Sequence, residues 1–472
     1  MIKNYCVGIA GLAAAVALTR VGHRVQVLEK SDGTKNRGGG GVRMPPNMSK
    51  ILFHWGLKEK LRKIALTSQP ILFSRFESGE LLGTQVWDNE LLRETRGEFM
   101  LTTHSDLHRV LLETALSQGA TIRTNADVVE IHPDKREVKL ASGEVLTADV
   151  IIGADGENGL ARRIVIGRQD HGTPVGLTMF EYVTFFTCTY FHLMLWLCSA
   201  TFNTATNMVF IAFGNGCCAV GYPIHAHQEI AFHFLLRDDR TDGAWGDPPS
   251  ADLKRLVPSP CDARLRIVAD NASNAVRVAV KDYGDLEEWV HESNTMVLVG
   301  QAAHPFPPAS LQGTAMAVED AAVLAKLFAH LSSPEEIGSF LWAFQDLRHK
   351  RCNEAREAEM SSMFWMTLEN GEAQSSRDNG MREKFRAGKN VMEGEDGEDD
   401  SPQWQELRNT FGYDCEDEAD NWWVQWGVLR ERARGGSNAS VQTPGDGGFD
   451  WSTMSIQVNE STAAATAVDQ SV

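Results

Sequence analysis

A glycine-bearing turn, Gly8-Ile9-Ala10-Gly11, leads into a helix of small apolar residues over 12–21, then past Gly22 into a strand over 24–28 that ends at Glu29. The order is β-turn-α-β, and it constrains the fold more than any other feature of the chain. In such a unit the glycines let a helix N-terminus approach a pyrophosphate, and an acidic residue closing the second strand accepts hydrogen bonds from a ribose. A full G-x-G-x-x-G would place its first glycine at Cys6, and the strand before it would be residues 1–5, where Lys3 and Asn4 interrupt the apolar run. The opening therefore reads as incomplete, through a missing start or a misplaced exon boundary.

Charge and cysteine usage exclude several classes. A net charge of −18 and a pI near 5.3 lack the basic footprint that nucleic acid demands. Much of the excess sits in two runs, residues 393–400 and 414–420, expected to be solvated. The eight cysteines form no CxxC pair and no Cys/His ligand pattern, and Cys217 and Cys218 are adjacent, so neither a disulfide framework nor a metal site is expected. A reducing, cytoplasmic location fits, since residues 1–11 carry no secretory signal. Residues 183–200 carry no Asp, Glu, Lys or Arg and are long enough to span a bilayer, which keeps membrane association as an alternative. Their threonines, β-branched and aromatic richness and lack of basic flanks suit buried strands better.

Along the chain, helices are expected at 48–55 and 105–118, and strands at 121–125, 138–140, 145–146 and 150–154. From 173 to 282 the sequence turns aromatic and short-period, predicting a mainly antiparallel sheet. α/β character returns with the strand at 295–299 and a long helix over 315–331. The expected organisation is an α/β nucleotide-binding domain (1–172 and 283–345) split by an inserted β-sheet domain (173–282). A helical region with an acidic linker (346–434) and a disordered tail (435–472) follow.

Two further motifs carry chemistry. Asp149-Val150-Ile151-Ile152-Gly153-Ala154-Asp155-Gly156, followed by Arg162 and Arg163, is a strand delivering an Asp-Gly turn and a basic helix. It is suited to close over a pyrophosphate or to face a reduced nicotinamide. Gly300-Gln301-Ala302-Ala303-His304-Pro305-Phe306-Pro307-Pro308, continuing to Gln312-Gly313-Thr314, fixes backbone amides at a helix start, where the helix dipole favours an anion.

GIAG with Glu29, GADG, and GQAAHPFPPASLQGTAMAVEDAAVL, in this order, resemble the dinucleotide, DG and GD motifs of group A FAD-dependent aromatic hydroxylases, the salicylate hydroxylase-like flavoprotein monooxygenases. The likeness runs through most of residues 6–345. It implies an FAD-binding Rossmann-like domain of the glutathione-reductase type, an inserted mainly antiparallel substrate sheet, and C-terminal helices. It also implies FAD held through Gly8, Gly11, Glu29, Gly41, Val42, Arg109, Asp155, Gly156, Gln301, Gly313 and Thr314, with Pro305 and His304 beside the flavin ring. NADPH or NADH would reduce the flavin, O2 would add as a flavin hydroperoxide, and a phenolic or polyketide-like aromatic compound would be hydroxylated, with water excluded. Tyr222 and His225 are candidate polar groups of the substrate sheet, Tyr222 with an acid-base role; His304 could equally be a satisfied histidine that shapes its loop.

Two departures mark this chain. Gln301 stands where the family carries Asp, predicting looser FAD retention, and Phe180-Glu181 stands where related sequences often place an aromatic residue and Arg, so that a substrate anion would meet the wrong charge. A catalytically impaired paralogue or faulty gene model that keeps the fold without stable FAD is the alternative reading. The sequence leaves the oligomeric state open.

Overall fold

The computed structural model describes residues 2–5, 8–32, 40–68, 70–87, 89–185, 207–391, 393 and 402–427. It divides into one unit, Met1–Trp423, and a second, Val424–Val472, of which only 424–427 are described. Cys6, nearly all of the acidic linker, the tail beyond 434 and residues 186–200 of the apolar stretch lie outside the described residues. Its first three positions, 183–185, end the strand Thr173–Phe185. Among the described residues no helix is long and apolar enough to cross a membrane.

The nucleotide-binding part is a five-stranded parallel sheet in the order Met296–Leu298, Val150–Gly153, Ile2–Tyr5, Val25–Leu28, Thr121–Arg123. The segment with Lys3 and Asn4 is thus the central strand, with Ile2 opposite both Val150 and Val25. Backbone groups pair whatever the side chains, so flanking strands on both sides override weak local patterning. The distant strand Met296–Leu298 completes the sheet at one edge.

The helix Ile9–Arg20 buries nearly every side chain and packs on Gln312–Phe328, itself buried on almost every face. Alanines on both helices allow the close approach, and Gly300 is required at the crossing: it adopts φ +60, and a Cβ there would lie 2.8 Å from the Ala10 Cβ. The long helix begins at Gln312, three residues before the expected start, because Glu359 and Ser310 accept from its first amides.

The second layer is a seven-stranded sheet in the order Val276–Asp282, Thr173–Phe185, Glu229–Arg237, Cys217–Ile224, Val209–Gly214, Ile71–Arg75, Leu81–Gln85. Five of its six strand pairs are antiparallel; in the sixth, Val209–Gly214 runs parallel to Ile71–Arg75. The sheet thus recruits two strands from residues 71–85, well before the expected insertion. A single helix, Ile337–Met366, also runs through the expected boundary at 345. The acidic run near 414–420 is not merely solvated: Asp414 caps the helix Cys415–Trp422, and Lys50, His54 and Lys326 pair with Asp414, Glu416 and Asp420.

The strand Gly41–Met44, paired with Met100–Thr103, joins the layers. Val42 and Met44 enter the nucleotide-domain core, and on the opposite face Gly41 and Arg43 meet the seven-stranded sheet.

Candidate cofactor and substrate site

At the N-terminus of Ile9–Arg20, Gly8 is the N-cap with no side-chain cap and no acidic residue in the first turn. A helix start without an acidic side chain suits an anion. Glu29 is 2% exposed at the end of the second strand, its Oε1 accepting from the Ser31 N–H at 2.8 Å. The structure thus brings Gly8, Gly11 and Glu29 to one end of the parallel sheet, beside Gly300.

The Asp-Gly turn is partly committed to its own helix. Asp155 Oδ2 accepts from the Ala161 N–H at 2.9 Å, Gly156 takes φ +85, and burial pushes the Asp155 carboxyl above its ordinary value. The other oxygen, Oδ1, is buried without a partner. Arg162 does not face outward toward a nicotinamide; it is buried, pairs with Asp170 at 2.7 Å and donates to the carbonyls of Ala302 and Ala303. It therefore sets the path of the proline loop.

In that loop Gln301 Oε1 accepts from the Phe306 N–H at 2.6 Å, which leaves the side-chain NH2, near Gly313, as its available group. The replacement of Asp by Gln thus turns an acceptor into a donor. At the helix start, Gln312 N–H donates to Glu359 at 2.7 Å and Gly313 N–H to Ser310 Oγ at 3.2 Å. Among the described residues this leaves the Thr314 amide in the first turn.

His304, expected beside the flavin ring or as a histidine that shapes its loop, is held within the core by an ion-pair network. It is 3% exposed, and its Nε2 lies 2.6 Å from Asp320 Oδ2, which also accepts from the Gly300 N–H at 2.8 Å. Burial opposes its charge, but the neighbouring Cys352 and Asp320 outweigh that and lift the imidazole from 6.5 to about 10. Asp320 is held down from 3.8 to about 2, because His304 and Arg348 outweigh its burial. His304, Asp320 and Cys352 lie within metal-ligating reach of one another, yet Arg348 sits 2.9 Å from Asp320 Oδ1 and 3.4 Å from Cys352 Sγ. A guanidinium beside the same donors makes this an ion-pair network and disfavours a metal ion. Pro305 follows His304 and is buried.

The two shifts have opposite signs in pH. His304 contributes stability that is complete below about 6.5 and lost as pH rises toward about 10, whereas Asp320 contributes stability that is complete above 3.8 and lost as pH falls toward about 2. Unfolding midpoints in urea are expected to be flat across that middle range and to decline on both sides, and His304→Gln is expected to flatten the alkaline limb. An unchanged alkaline limb would count against the assignment.

Tyr222, the other candidate acid-base group, lies at the junction of strand and sheet. Its ring is wholly buried, its hydroxyl has no partner, and burial drives its pKa far above the ordinary phenol value. A Cβ on Gly41 would come within 2.5 Å of that hydroxyl. The residue seals the strand against the sheet and stays protonated. Arg109 is half-exposed and pairs along its own helix with Asp106 at 2.9 Å and Glu113 at 3.5 Å. His225 stands in a turn at φ +50, 3.9 Å from Asp106.

Three residues of this junction escaped sequence reasoning as parts of the site: Arg43, His233 and Glu359. Glu181, read as a misplaced charge, is buried and accepts from the Gly41 N–H at 3.2 Å and pairs with His233 Nε2 at 3.2 Å. Arg43 Nη2 donates to the Ala309 carbonyl at 2.7 Å, and its guanidinium lies over the Tyr222 ring at 5.8 Å. In the sequence, Arg43 directly follows Gly41 and Val42, the two residues of this segment expected at the flavin.

Comparison with known proteins agrees with this architecture. Residues 7–185 match the family model described as FAD binding domain. The FAD-dependent monooxygenase OpS4 of Beauveria bassiana is 27% identical over 381 residues, covering 79% of this chain and 87% of that protein. The 3-hydroxybenzoate 6-hydroxylase 1 of Aquipseudomonas alcaligenes is 27% identical over 326 residues, covering 67% and 78%. The crystal structure of CtdE in complex with FAD and substrate 4 superposes with a TM-score of 0.73 at 19% identity, covering 91% of this chain and 99% of that one. The fold is accordingly an α/β FAD-binding domain carrying a large antiparallel-rich sheet and C-terminal helices.

Proposed function

We propose that this chain, a member of the FAD-dependent aromatic hydroxylases among the flavoprotein monooxygenases, hydroxylates a phenolic or polyketide-like aromatic compound with NADPH or NADH and O2. The observation that carries the reading is the strand Gly41–Met44, held between a dinucleotide-type sheet on one face and the seven-stranded sheet on the other. In this reading the cofactor would lie on the side of the dinucleotide-type sheet and the substrate on the side of the seven-stranded sheet.

FAD fits the residues present: an uncapped helix N-terminus at Gly8, a buried carboxylate at Glu29, and an unpartnered Asp155 Oδ1. Gly8 and Gly11 would hold the pyrophosphate and Glu29 the adenosine ribose. The Gln301 NH2 would donate to a ribityl hydroxyl, and Gly41, Val42, Gly313 and Thr314 would line the ring system. When bound, FAD supplies hydride acceptance from the nicotinamide and oxygen activation. The balance is ArH + O2 + NAD(P)H + H⁺ → ArOH + H2O + NAD(P)⁺. The chain's own part is to orient the ring and exclude water, and the apolar sheet face around Tyr222, Ile224 and Ala231 serves the second task.

The purified protein is expected to be yellow, to oxidise NADPH or NADH faster when a phenolic compound is added, and to yield a product heavier by one oxygen atom. A colourless protein that cannot be reconstituted with FAD would sink this reading.

A further inference from the structure

We infer that Arg43 receives the anionic group of the aromatic substrate, a task moved in this chain from the seven-stranded sheet to the strand that faces it. The inference deepens the hydroxylase reading and rests on it. Alternation along Gly41–Met44 places Arg43 on the same face as Gly41, toward the substrate sheet. Its guanidinium lies over Tyr222 of the sheet and donates to Ala309 of the proline loop, so that strand, sheet and loop meet at this side chain. Ala309 is held at φ +58, a left-handed conformation costly for a residue with a Cβ. Local strain fixed by a hydrogen bond to one arginine marks the spot as built.

Charge bookkeeping around Arg43 points the same way. A guanidinium carries five donors, and among the described residues Arg43 uses one nitrogen on a carbonyl and has no carboxylate within 4.0 Å. By contrast, the buried Arg162, Arg348, Arg356 and Arg377 each hold a carboxylate. Glu181 is engaged with Gly41 and His233, and Glu359 accepts from Gln312 while the Arg43 charge partly offsets its burial without a direct ion pair. Glu359 and Ser310 also occupy the first two amides of the long helix, leaving the Thr314 amide of its first turn. An incoming phenolate or ring carboxylate is therefore attracted by Arg43 and repelled by Glu181 and Glu359. The fork geometry of the guanidinium suits a carboxylate, and its charge favours ionisation of a phenol, which makes the ring more electron-rich.

The test uses FAD-reconstituted protein and two probes of nearly one shape, 2,4-dihydroxybenzoate and its neutral amide, titrated by calorimetry, so that no turnover is needed. Wild type is expected to bind the acid about tenfold more tightly than the amide, ~1.4 kcal/mol. Arg43→Met is expected to bring that ratio close to one with the amide affinity little changed, and Arg43→Lys to fall between. A preserved ratio in Arg43→Met, an equal loss for both probes, or no acid preference in wild type would each overturn the inference; an equal loss would assign Arg43 to holding the Ala309 loop alone. Failure of FAD uptake would instead count against the hydroxylase reading.

Discussion

Replacing Arg348 by methionine is expected to lower the unfolding free energy by about 3–5 kcal/mol, the cost of stripping a buried ion pair of one partner. Arg348 is fully buried and reaches Glu319 Oε2 at 2.7 Å and Asp320 Oδ1 at 2.9 Å. Glu319 also accepts from Asn47 at 2.7 Å, and Asp320 from Gly300 and His304. One guanidinium thus ties Gln312–Phe328 to Ile337–Met366 and, through the two carboxylates, to Pro46–His54 and the loop at Gly300. Without it, two carboxylates remain buried with only His304 and the more distant Arg351 to offset them. Urea unfolding monitored by tryptophan fluorescence gives the measurement. Adding Glu319→Gln to the Arg348→Met variant is expected to restore part of the loss by removing one uncompensated charge. A single-variant loss below ~1 kcal/mol would show that the network is not a buried charge balance.

Glu181→Leu is expected to cost about 2–6 kcal/mol, because the Gly41 N–H and the His233 ring would each lose a buried partner worth about 1–3 kcal/mol. Its side chain is 5% exposed, and its oxygens would lie within 2.5 Å of a Cβ placed on Gly40. The carboxylate fits only because glycine stands opposite. Glu181→Gln, which keeps one acceptor and the shape, is expected to lose much less. Urea midpoints and the dissociation constant for FAD are both expected to move in the Leu variant, since Gly41 borders the proposed flavin position. If Glu181→Leu left both unchanged, Glu181 would be free to present its charge to a substrate, as the sequence alone suggested.

The difference between those two readings of Glu181 illustrates how far sequence reached. Its position after Phe180 was visible, and so was its sign. Its partner Gly41 lies 140 residues earlier in the chain and His233 lies 52 residues later, on a strand paired antiparallel to its own. No local pattern encodes that meeting. Similarly, the Lys3-Asn4 interruption looked damaging because a strand is judged from its own side chains, whereas the backbone ladders to Val150–Gly153 and Val25–Leu28 stabilise it. Tyr222 was singled out for its chemistry; its burial against Gly41 was not visible in the sequence.

The sequence by itself determined the order of the nucleotide-binding elements, the small-residue helix after Gly8, the acid at Glu29, and the turns at Asp155 and Gly300, since glycine, proline and short-range periodicity act over a few residues. Tertiary structure alone decided which charges are satisfied. Arg43 meets Ala309 across 266 positions, Gln312 is capped by Glu359 across 47, and His304 is locked by Asp320 and Arg348 inside the core. The role of an ionisable side chain follows from its burial and its partners, and both are fixed only when distant segments pack together.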